Sequence, residues 1–163
     1  MGTKGREIVG VDVKKLVKLL NSALADEWLA YYQYWVGSKV AVGRMRGIVA
    51  KEFAEHAHEE FEHANKLTER IIQLGGSPLL HPGRWEKEAH CGYDEPKNPS
   101  TKKLLEQNIK GEQCAIAVYK KLFTLVDRKD PITAHLILEI LEDEVKHEED
   151  LEAMFEDMKT KAE

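Results

Sequence analysis

Charged side chains interrupt the apolar stripes of four long helical patterns. Apolar residues recur every three or four positions over about 11–41, 45–74, 100–127 and 131–160, which is the period of an amphipathic helix. Each helix would be about 45 Å long at ~1.5 Å per residue. Four glutamates and two histidines lie within the stripes: Glu27, Glu60, His63, Glu112, Glu144 and His147. Because buried charges are rare unless they are paired or bind a metal, the fold must bring these six residues together.

The connections between the four patterns predict how the helices are arranged. Three residues, 42–44, separate the first two helices, and 128–131 joins the last two, so each pair is predicted to form an antiparallel hairpin. The stretch 75–99 contains eight glycines and prolines, which exclude a continuous helix. About 25 residues at ~3.3 Å each can cross the length of such a bundle. The sequence therefore predicts an all-α antiparallel four-helix bundle with one long crossover, as a single domain over 1–163.

The two hairpins repeat one pattern of residues. In each hairpin a glutamate precedes an E-x-x-H step, by 33 residues in the first and by 32 in the second. Each leading glutamate is followed by alanine after three positions and by tyrosine after seven, at Tyr34 and Tyr119. The halves are therefore expected to be related by a pseudo-two-fold axis. One glutamate and one E-x-x-H from each half make up the ligand set of a di-iron or di-manganese centre in a bundle core.

The residue types of this set favour redox-active metals. Carboxylate and imidazole ligands suit Fe and Mn, whereas zinc sites more often contain cysteine. Four carboxylates balance the charge of two divalent ions, and metals about 3.5–4 Å apart can share one oxidant molecule. We therefore expect two Fe ions per subunit, with Mn as the alternative metal. Tyr34 and Tyr119 are expected to hydrogen-bond to ligand carboxylates or to supply an electron, and core packing is compatible with both roles.

Other polar residues of the second helix receive different interpretations. Glu55 and His58 form another E-x-x-H, but they lie about 160–220° around the helix from Glu60 and are assigned to solvent. Glu52 and His56 lie two turns and one turn before Glu60 on nearly the same face. Satisfied, partly buried groups are the favoured interpretation of these two, ahead of partners of the ligands or a metal approach route.

Charge and hydropathy restrict the class of protein. The net charge of −5 disfavours nucleic acid as a partner. No segment approaches the ~18 consecutive apolar residues that a membrane span needs, and residues 1–10 lack the apolar core of a secretory signal. A cytoplasmic location is therefore expected. The two cysteines are too few for a disulfide scaffold and lack the C-x-x-C spacing of a metal site.

The ligand-bearing segments resemble those of the bacterioferritin-like branch of the ferritin superfamily, over almost the whole chain. They are L-A-D-E-W-L-A-Y-Y-Q-Y-W (24–35), E-F-E-H-A (60–64), E-Q-C-A-I-A-V-Y (112–119) and E-I-L-E-D-E-V-K-H (139–147). The resemblance implies a ferritin-like fold, an intrasubunit ferroxidase centre and a closed shell that stores ferric mineral. It also implies that Glu60 and Glu144 bridge the irons. Glu27 and Glu112 would be terminal ligands.

Two features depart from that branch. Bacterioferritin binds haem through a methionine directly after the bridging glutamate of the second helix; Phe61 stands there in this chain, so haem is not expected. The cysteine pair resembles that of the Dps-like thioferritins, which implies a dodecameric shell and a preference for hydrogen peroxide. Cys91 and Cys114 are expected to form a disulfide that fastens the crossover. A redox relay is the second interpretation, two unpaired thiols are the third, and His90 is expected to be an exposed loop residue.

The leading functional prediction is a mini-ferritin. Its ferroxidase centre would oxidise Fe(II) with hydrogen peroxide or dioxygen, and a homo-oligomeric shell would store the ferric mineral, which protects against oxidative stress. A non-storing rubrerythrin-like peroxidase or manganese catalase on the same site is one alternative. A DNA-compacting structural bundle is the other.

Overall fold

The computed structural model describes residues 2–160 of the 163-residue chain. Four long helices make up the bundle: α2 (Val13–Val40), α3 (Arg46–Gln73), α5 (Thr101–Val126) and α6 (Pro131–Lys159). Two short helices accompany them, α1 (Thr3–Glu7) and α4 (Trp85–Glu88). This all-α arrangement, with one long crossover between α3 and α5, confirms the predicted fold class. A membrane-spanning stretch is not found in any helix between residues 2 and 160.

Side-chain caps define where two of the bundle helices begin. Asp12 precedes α2, and its carboxylate accepts hydrogen bonds from the amides of Lys14 and Lys15 at 2.9 and 3.1 Å. Asp130 precedes α6 and accepts from the amide of Thr133 at 3.1 Å. Such caps satisfy amides that lack a partner within the helix. Asp130 also receives two 2.9 Å hydrogen bonds from Arg70, so a buried ion pair joins the end of α3 to the start of α6.

The long crossover is fixed to the bundle near its middle and at its end. Near its middle, Trp85 of α4 stacks on Trp28 of α2, with ring centroids 5.3 Å apart and planes 9° from parallel. At its end, the Val42 amide donates to the carbonyl of Pro99, and the Thr101 amide donates to the carbonyl of Val42. The crossover therefore runs along the bundle and meets the α2–α3 turn before α5 begins.

The apolar core is divided into two clusters along the bundle. One contains Leu20, Leu67 and Ile137, and the other contains Phe53 and Leu105, all of them fully buried. The predicted polar residues come from the middle turns of the same four helices, between these clusters. The site is therefore enclosed along the bundle axis by tightly packed side chains.

Candidate metal centre

The four bundle helices bring the six predicted ligands into one buried cluster. α2 and α5 each supply one glutamate, and α3 and α6 each supply an E-x-x-H step. Each of these six residues is at most 3% exposed. The members are Glu27, Glu60, His63, Glu112, Glu144 and His147.

These residues form two adjacent sets of four. In the first, ligand atoms of Glu27, Glu60, His63 and Glu144 all lie within 4.8 Å of one another. In the second, Glu60, Glu112, Glu144 and His147 meet the same limit. Glu60 and Glu144 belong to both sets. Two four-ligand sets that share two carboxylates can hold two neighbouring cations, with the shared carboxylates between them.

Several buried atoms of the cluster have no hydrogen-bond partner among residues 2–160. They are Oε2 of Glu27, Oε1 of Glu60, Oε1 of Glu144 and Nδ1 of His147. A buried polar atom without a partner destabilises the fold by about 1–3 kcal/mol. Bound cations would satisfy these atoms, and the oxygen and nitrogen donors suit iron or manganese. The residues present therefore fit a pair of metal ions.

Electrostatics hold protons in the cluster when no cation is bound. Burial, followed by the charge of Glu60, raises the pKa of Glu27 to about 8 and the pKa of Glu144 to about 8. Burial opposes the charged form of Glu60 as well, but contacts with His147 and His63 outweigh it and lower the pKa of Glu60. Burial lowers the pKa of His147, yet contact with Glu60 more than compensates and raises that pKa to about 9. Cation binding must therefore displace protons.

The two histidines are oriented by carboxylates that the sequence analysis missed. Nε2 of His63 lies 3.1 Å from Oδ2 of Asp143, and Nε2 of His147 lies 2.6 Å from Oε2 of Glu59. Each ring therefore turns Nδ1 towards the cluster, where His63 Nδ1 lies 3.3 Å from Glu60. Such partners fix the tautomer and the direction of a ligating imidazole. The sequence signal that could have identified these two partners is the acidic residue directly before each E-x-x-H step.

Hydrogen bonds from two tyrosines connect the two hairpins. The hydroxyl of Tyr34 in α2 donates to Oε1 of Glu112 in α5, and the hydroxyl of Tyr119 in α5 donates to Oε1 of Glu27 in α2. Burial and the neighbouring carboxylates raise the pKa of both tyrosines, so the phenols keep their protons and remain donors. Both side chains are at most 2% exposed.

Asp26, which the sequence analysis did not single out, anchors the crossover beside the cluster. Its carboxylate accepts from the amides of His90 and Cys91 at 2.8 and 2.7 Å, and lies 2.9 Å from Nδ1 of His90. Cys91 is joined by a disulfide to Cys114 of α5, with Cα atoms 5.8 Å apart. His90 is an exposed loop residue, as expected, and its imidazole is paired with Asp26.

A narrow cavity lies beneath this part of the crossover. It has a volume of about 40 Å³ and extends to the cluster. Its walls include the small residues Ala30, Gly92, Gly111 and Ala115. Small side chains on α2 and α5 leave this space on the side of the centre that faces Gly92 of the crossover.

His56 corrects one interpretation of the sequence. His56 is 2% exposed, and its Nδ1 has no hydrogen-bond partner in the described part of the chain, so the imidazole is fully rather than partly buried and one of its two nitrogens is unsatisfied. Its ring stacks on His147, with centroids 4.0 Å apart, and its Nε2 lies 3.3 Å from Oε1 of Glu52. Glu55 and His58 are exposed, as predicted.

Comparisons with known proteins agree with this fold. The family model of the ferritin-like domain matches residues 17–161. The chain is 35% identical to the "DNA protection during starvation protein" of Pyrococcus furiosus, over 94% of this chain and 82% of that protein. It is 32% identical to a bacterioferritin of Brucella melitensis, over 87% and 83%. A solved structure from Bacteroides fragilis, described as a dodecameric thioferritin, has a TM-score of 0.90 and 45% identity, over 91% of this chain and 89% of that one.

Proposed function

Because the chain belongs to the ferritin-like domain family, we propose that it is a ferroxidase mini-ferritin that oxidises Fe(II) and stores the ferric product. The observation that carries this proposal is the pair of four-ligand sets that share Glu60 and Glu144. A single cation site would not need six buried ligands, whereas two neighbouring Fe(II) ions use all of them. The whole chain would act as one ferritin-like domain.

The proposed reaction takes two Fe(II) ions as substrates at each centre. Each ion gives up one electron, and hydrogen peroxide accepts both and is reduced to two hydroxide ions. Dioxygen is the alternative oxidant. Removing Fe(II) together with peroxide also suppresses hydroxyl-radical formation, which gives the protein a protective role.

The chain's own side chains prepare the centre for this reaction. Glu27 and Glu112 would each bind one ion, while the hydroxyls of Tyr119 and Tyr34 hold their carboxylates in place. The carboxylates of the centre would release their protons as the ions bind, since ligands must be deprotonated. The packed clusters on both sides would exclude bulk water from the reacting ions.

We further propose a homo-oligomeric, dodecameric shell around a mineral core. The support is the 45% identity to the Bacteroides fragilis protein described as a dodecameric thioferritin. DNA protection is the second candidate function, because the Pyrococcus furiosus relative carries that name. The net charge of −5 opposes direct DNA binding, so we expect protection through iron removal.

The first experiment compares iron oxidation by three forms of the protein. The parent, mixed with Fe(II) and peroxide, should form a soluble ferric product that stays with the protein during gel filtration. Glu60→Ala/Glu144→Ala should lose this activity. Glu62→Ala/Glu142→Ala is the matched control, since it removes two exposed carboxylates two positions away on the same helices. Equal oxidation and iron retention by the first double variant and the parent would refute the proposal.

Assembly and DNA binding need separate measurements. Light scattering during gel filtration should give a mass near twelve subunits, while a dimer would favour a non-storing peroxidase on the same centre. A gel-shift assay at physiological salt should show no retarded DNA. A metal-free protein that retards DNA would favour the second candidate through direct binding.

A further inference from the structure

The narrow cavity beneath the crossover reaches one side of the centre. All four glutamates of the centre line this cavity, whereas His63 and His147 do not. Oε2 of Glu27 is one of the buried carboxylate atoms without a hydrogen-bond partner among residues 2–160. The two imidazoles instead turn their Nε2 atoms towards Asp143 of α6 and Glu59 of α3. The cavity therefore approaches the centre between α2 and α5, from the side that the carboxylates occupy.

The mouth of the cavity lies at the protein surface, between residues with small side chains or none. Gly92 of the crossover is exposed, and Ala30, Gly111 and Ala115 are partly exposed. A Cβ atom added to Gly111 would meet no atom of a neighbouring segment within 4 Å, so open space adjoins this glycine. The cavity therefore connects solvent to the glutamates of the centre.

The volume of the cavity limits what can enter it. A volume of about 40 Å³ accommodates roughly three water-sized molecules, at about 10–15 Å³ each. Hydrogen peroxide has two oxygen atoms and fits this space. A hydrated divalent cation carries several waters and does not fit. The size of the cavity therefore favours a small oxidant over a metal ion.

Two buried amide side chains provide hydrogen-bond donors in the wall of the cavity. Gln33 and Asn108 both line it, and they are 8% and 2% exposed. Nε2 of Gln33 donates to Oδ1 of Asn108 at 2.9 Å, and Nδ2 of Asn108 donates to the carbonyl of Leu104 at 2.8 Å. Oε1 of Gln33 accepts from the amide of Asp94, which fastens the crossover beside the mouth. Because an amide nitrogen carries two hydrogens, each side chain keeps one N–H that no residue between 2 and 160 accepts.

We propose that this cavity is the entry route and binding site of hydrogen peroxide, which the remaining N–H groups of Gln33 and Asn108 hold beside the carboxylates of the centre. The inference rests on the proposed function and adds a place for the oxidant. The O–O bond of peroxide breaks as two Fe(II) ions each give up one electron, and two hydroxide ions form. Peroxide accepts hydrogen bonds and dioxygen scarcely does, so the two amides favour peroxide. Gln33 and Asn108 therefore determine the choice of oxidant.

Two substitutions test the size and the polarity of the cavity. Gly111→Leu adds a side chain at the mouth, and Gly47→Leu is the matched control, because Gly47 is also a helical glycine beside open space but lies outside the cavity. In stopped-flow measurements of Fe(II) oxidation at varied peroxide concentration, the second-order rate constant should fall several-fold in Gly111→Leu and stay at the parental value in Gly47→Leu. Gln33→Met keeps the length of the side chain and removes the donor. It should slow oxidation by peroxide several-fold and leave oxidation by dioxygen unchanged.

A measurement without electron transfer separates access from iron chemistry. Co(II) replaces Fe(II) at the centre, and azide is the small molecule that enters from solvent. The change in the visible absorption of Co(II) on mixing with azide gives an association rate. This rate should be several-fold lower in Gly111→Leu than in the parent and in Gly47→Leu. Binding of two Co(II) ions per subunit shows that a variant is folded, because the centre needs all four bundle helices.

The outcomes distinguish this inference from the proposed function. Parental rates with peroxide and with azide in Gly111→Leu would overturn the cavity as the route. An unchanged ratio of the peroxide rate to the dioxygen rate in Gln33→Met would overturn the role of the amides. A parent that binds two Co(II) ions and azide but does not oxidise Fe(II) would refute the proposed function while the access route stands. Gly111→Ala repeats the size test with a smaller group, and it should not impair folding because alanine favours a helix more than glycine does.

Discussion

The buried carboxylates of the centre should make the metal-free protein less stable as the pH rises. The pKa of Glu144 is about 8 in the folded protein and 4.5 for an ordinary glutamate, because burial and the charge of Glu60 oppose ionisation. Between these values the folded chain holds a proton that the unfolded chain has released. Stability must therefore fall as the pH rises through this window. We choose Glu144→Gln as the perturbation because the amide imitates the protonated side chain at nearly the same volume.

The size of the effect follows from the width of the window. From pH 6.5 to pH 8 the Glu144 proton contributes a loss of about 2 kcal/mol, at 1.36 kcal/mol per unit. For a chain of this length that loss corresponds to about 4–8 °C in the melting temperature. The pKa of His147 is raised to about 9, so the contribution of its proton to the stability of the fold is also lost as the pH rises. Glu144→Gln should remove the contribution of Glu144 and leave those of His147 and of Glu27, whose pKa is also raised to about 8.

Thermal unfolding of chelator-treated protein, at one subunit concentration, measures this effect. Between pH 6.5 and pH 9, the melting temperature of the parent should fall by about 4–8 °C more than that of Glu144→Gln. The exposed substitution Glu142→Gln should follow the parent. Added Zn(II) should reverse the trend in the parent, because metal binding to deprotonated ligands strengthens with pH. If the melting temperature falls equally in the parent and in Glu144→Gln, the side chain of Glu144 is not a buried, protonated carboxyl group.

Three further predictions concern the surroundings of the centre. Tyr119→Phe removes the donor to Glu27 and should weaken Zn(II) binding by about 10–100-fold in a calorimetric titration, while the exposed Tyr32→Phe should not. Asp130→Ala leaves the buried guanidinium of Arg70 unpaired and should reduce the free energy of unfolding in urea by about 3–5 kcal/mol, against little change for the exposed Asp127→Ala. Cys91→Ser opens the disulfide to α5 and should lower stability by ~3 kcal/mol, and a reductant should destabilise the parent but not this variant.

The sequence pattern was sufficient to predict the residues that meet in the core. Helical periodicity places Glu60 and His63 on the apolar stripe of α3, and the same period places Glu144 and His147 on that of α6. Local spacing fixes such positions, because residues three apart share one face of a helix whatever the rest of the fold does. The internal repeat then predicts that the two hairpins face one another.

The contacts that cross between hairpins could not be predicted in this way. His147 and Glu59 are 88 residues apart, and their pairing depends on how α3 and α6 are rotated about their axes. Asp26 is adjacent to Glu27 in sequence, but its three contacts reach His90 and Cys91, in a part of the crossover that has no regular structure. Periodicity describes which face a side chain occupies, and it contains no information on the path of a loop over that face.

His56 shows where the internal symmetry of the bundle ends. Four residues before the glutamate of its E-x-x-H step, the first hairpin has His56, whereas the second has Ile140, which is fully buried among apolar side chains. Eight residues before it, Glu52 likewise corresponds to Leu136. The ligands themselves obey the pseudo-two-fold axis, but their surroundings do not, because the polar side chains of Glu52 and His56 lie beside the half that contains His147, whereas the matching positions of the other hairpin are aliphatic. Two chemically similar half-sites are therefore expected to exchange cations with solvent at different rates, and the half beside His56 should exchange faster.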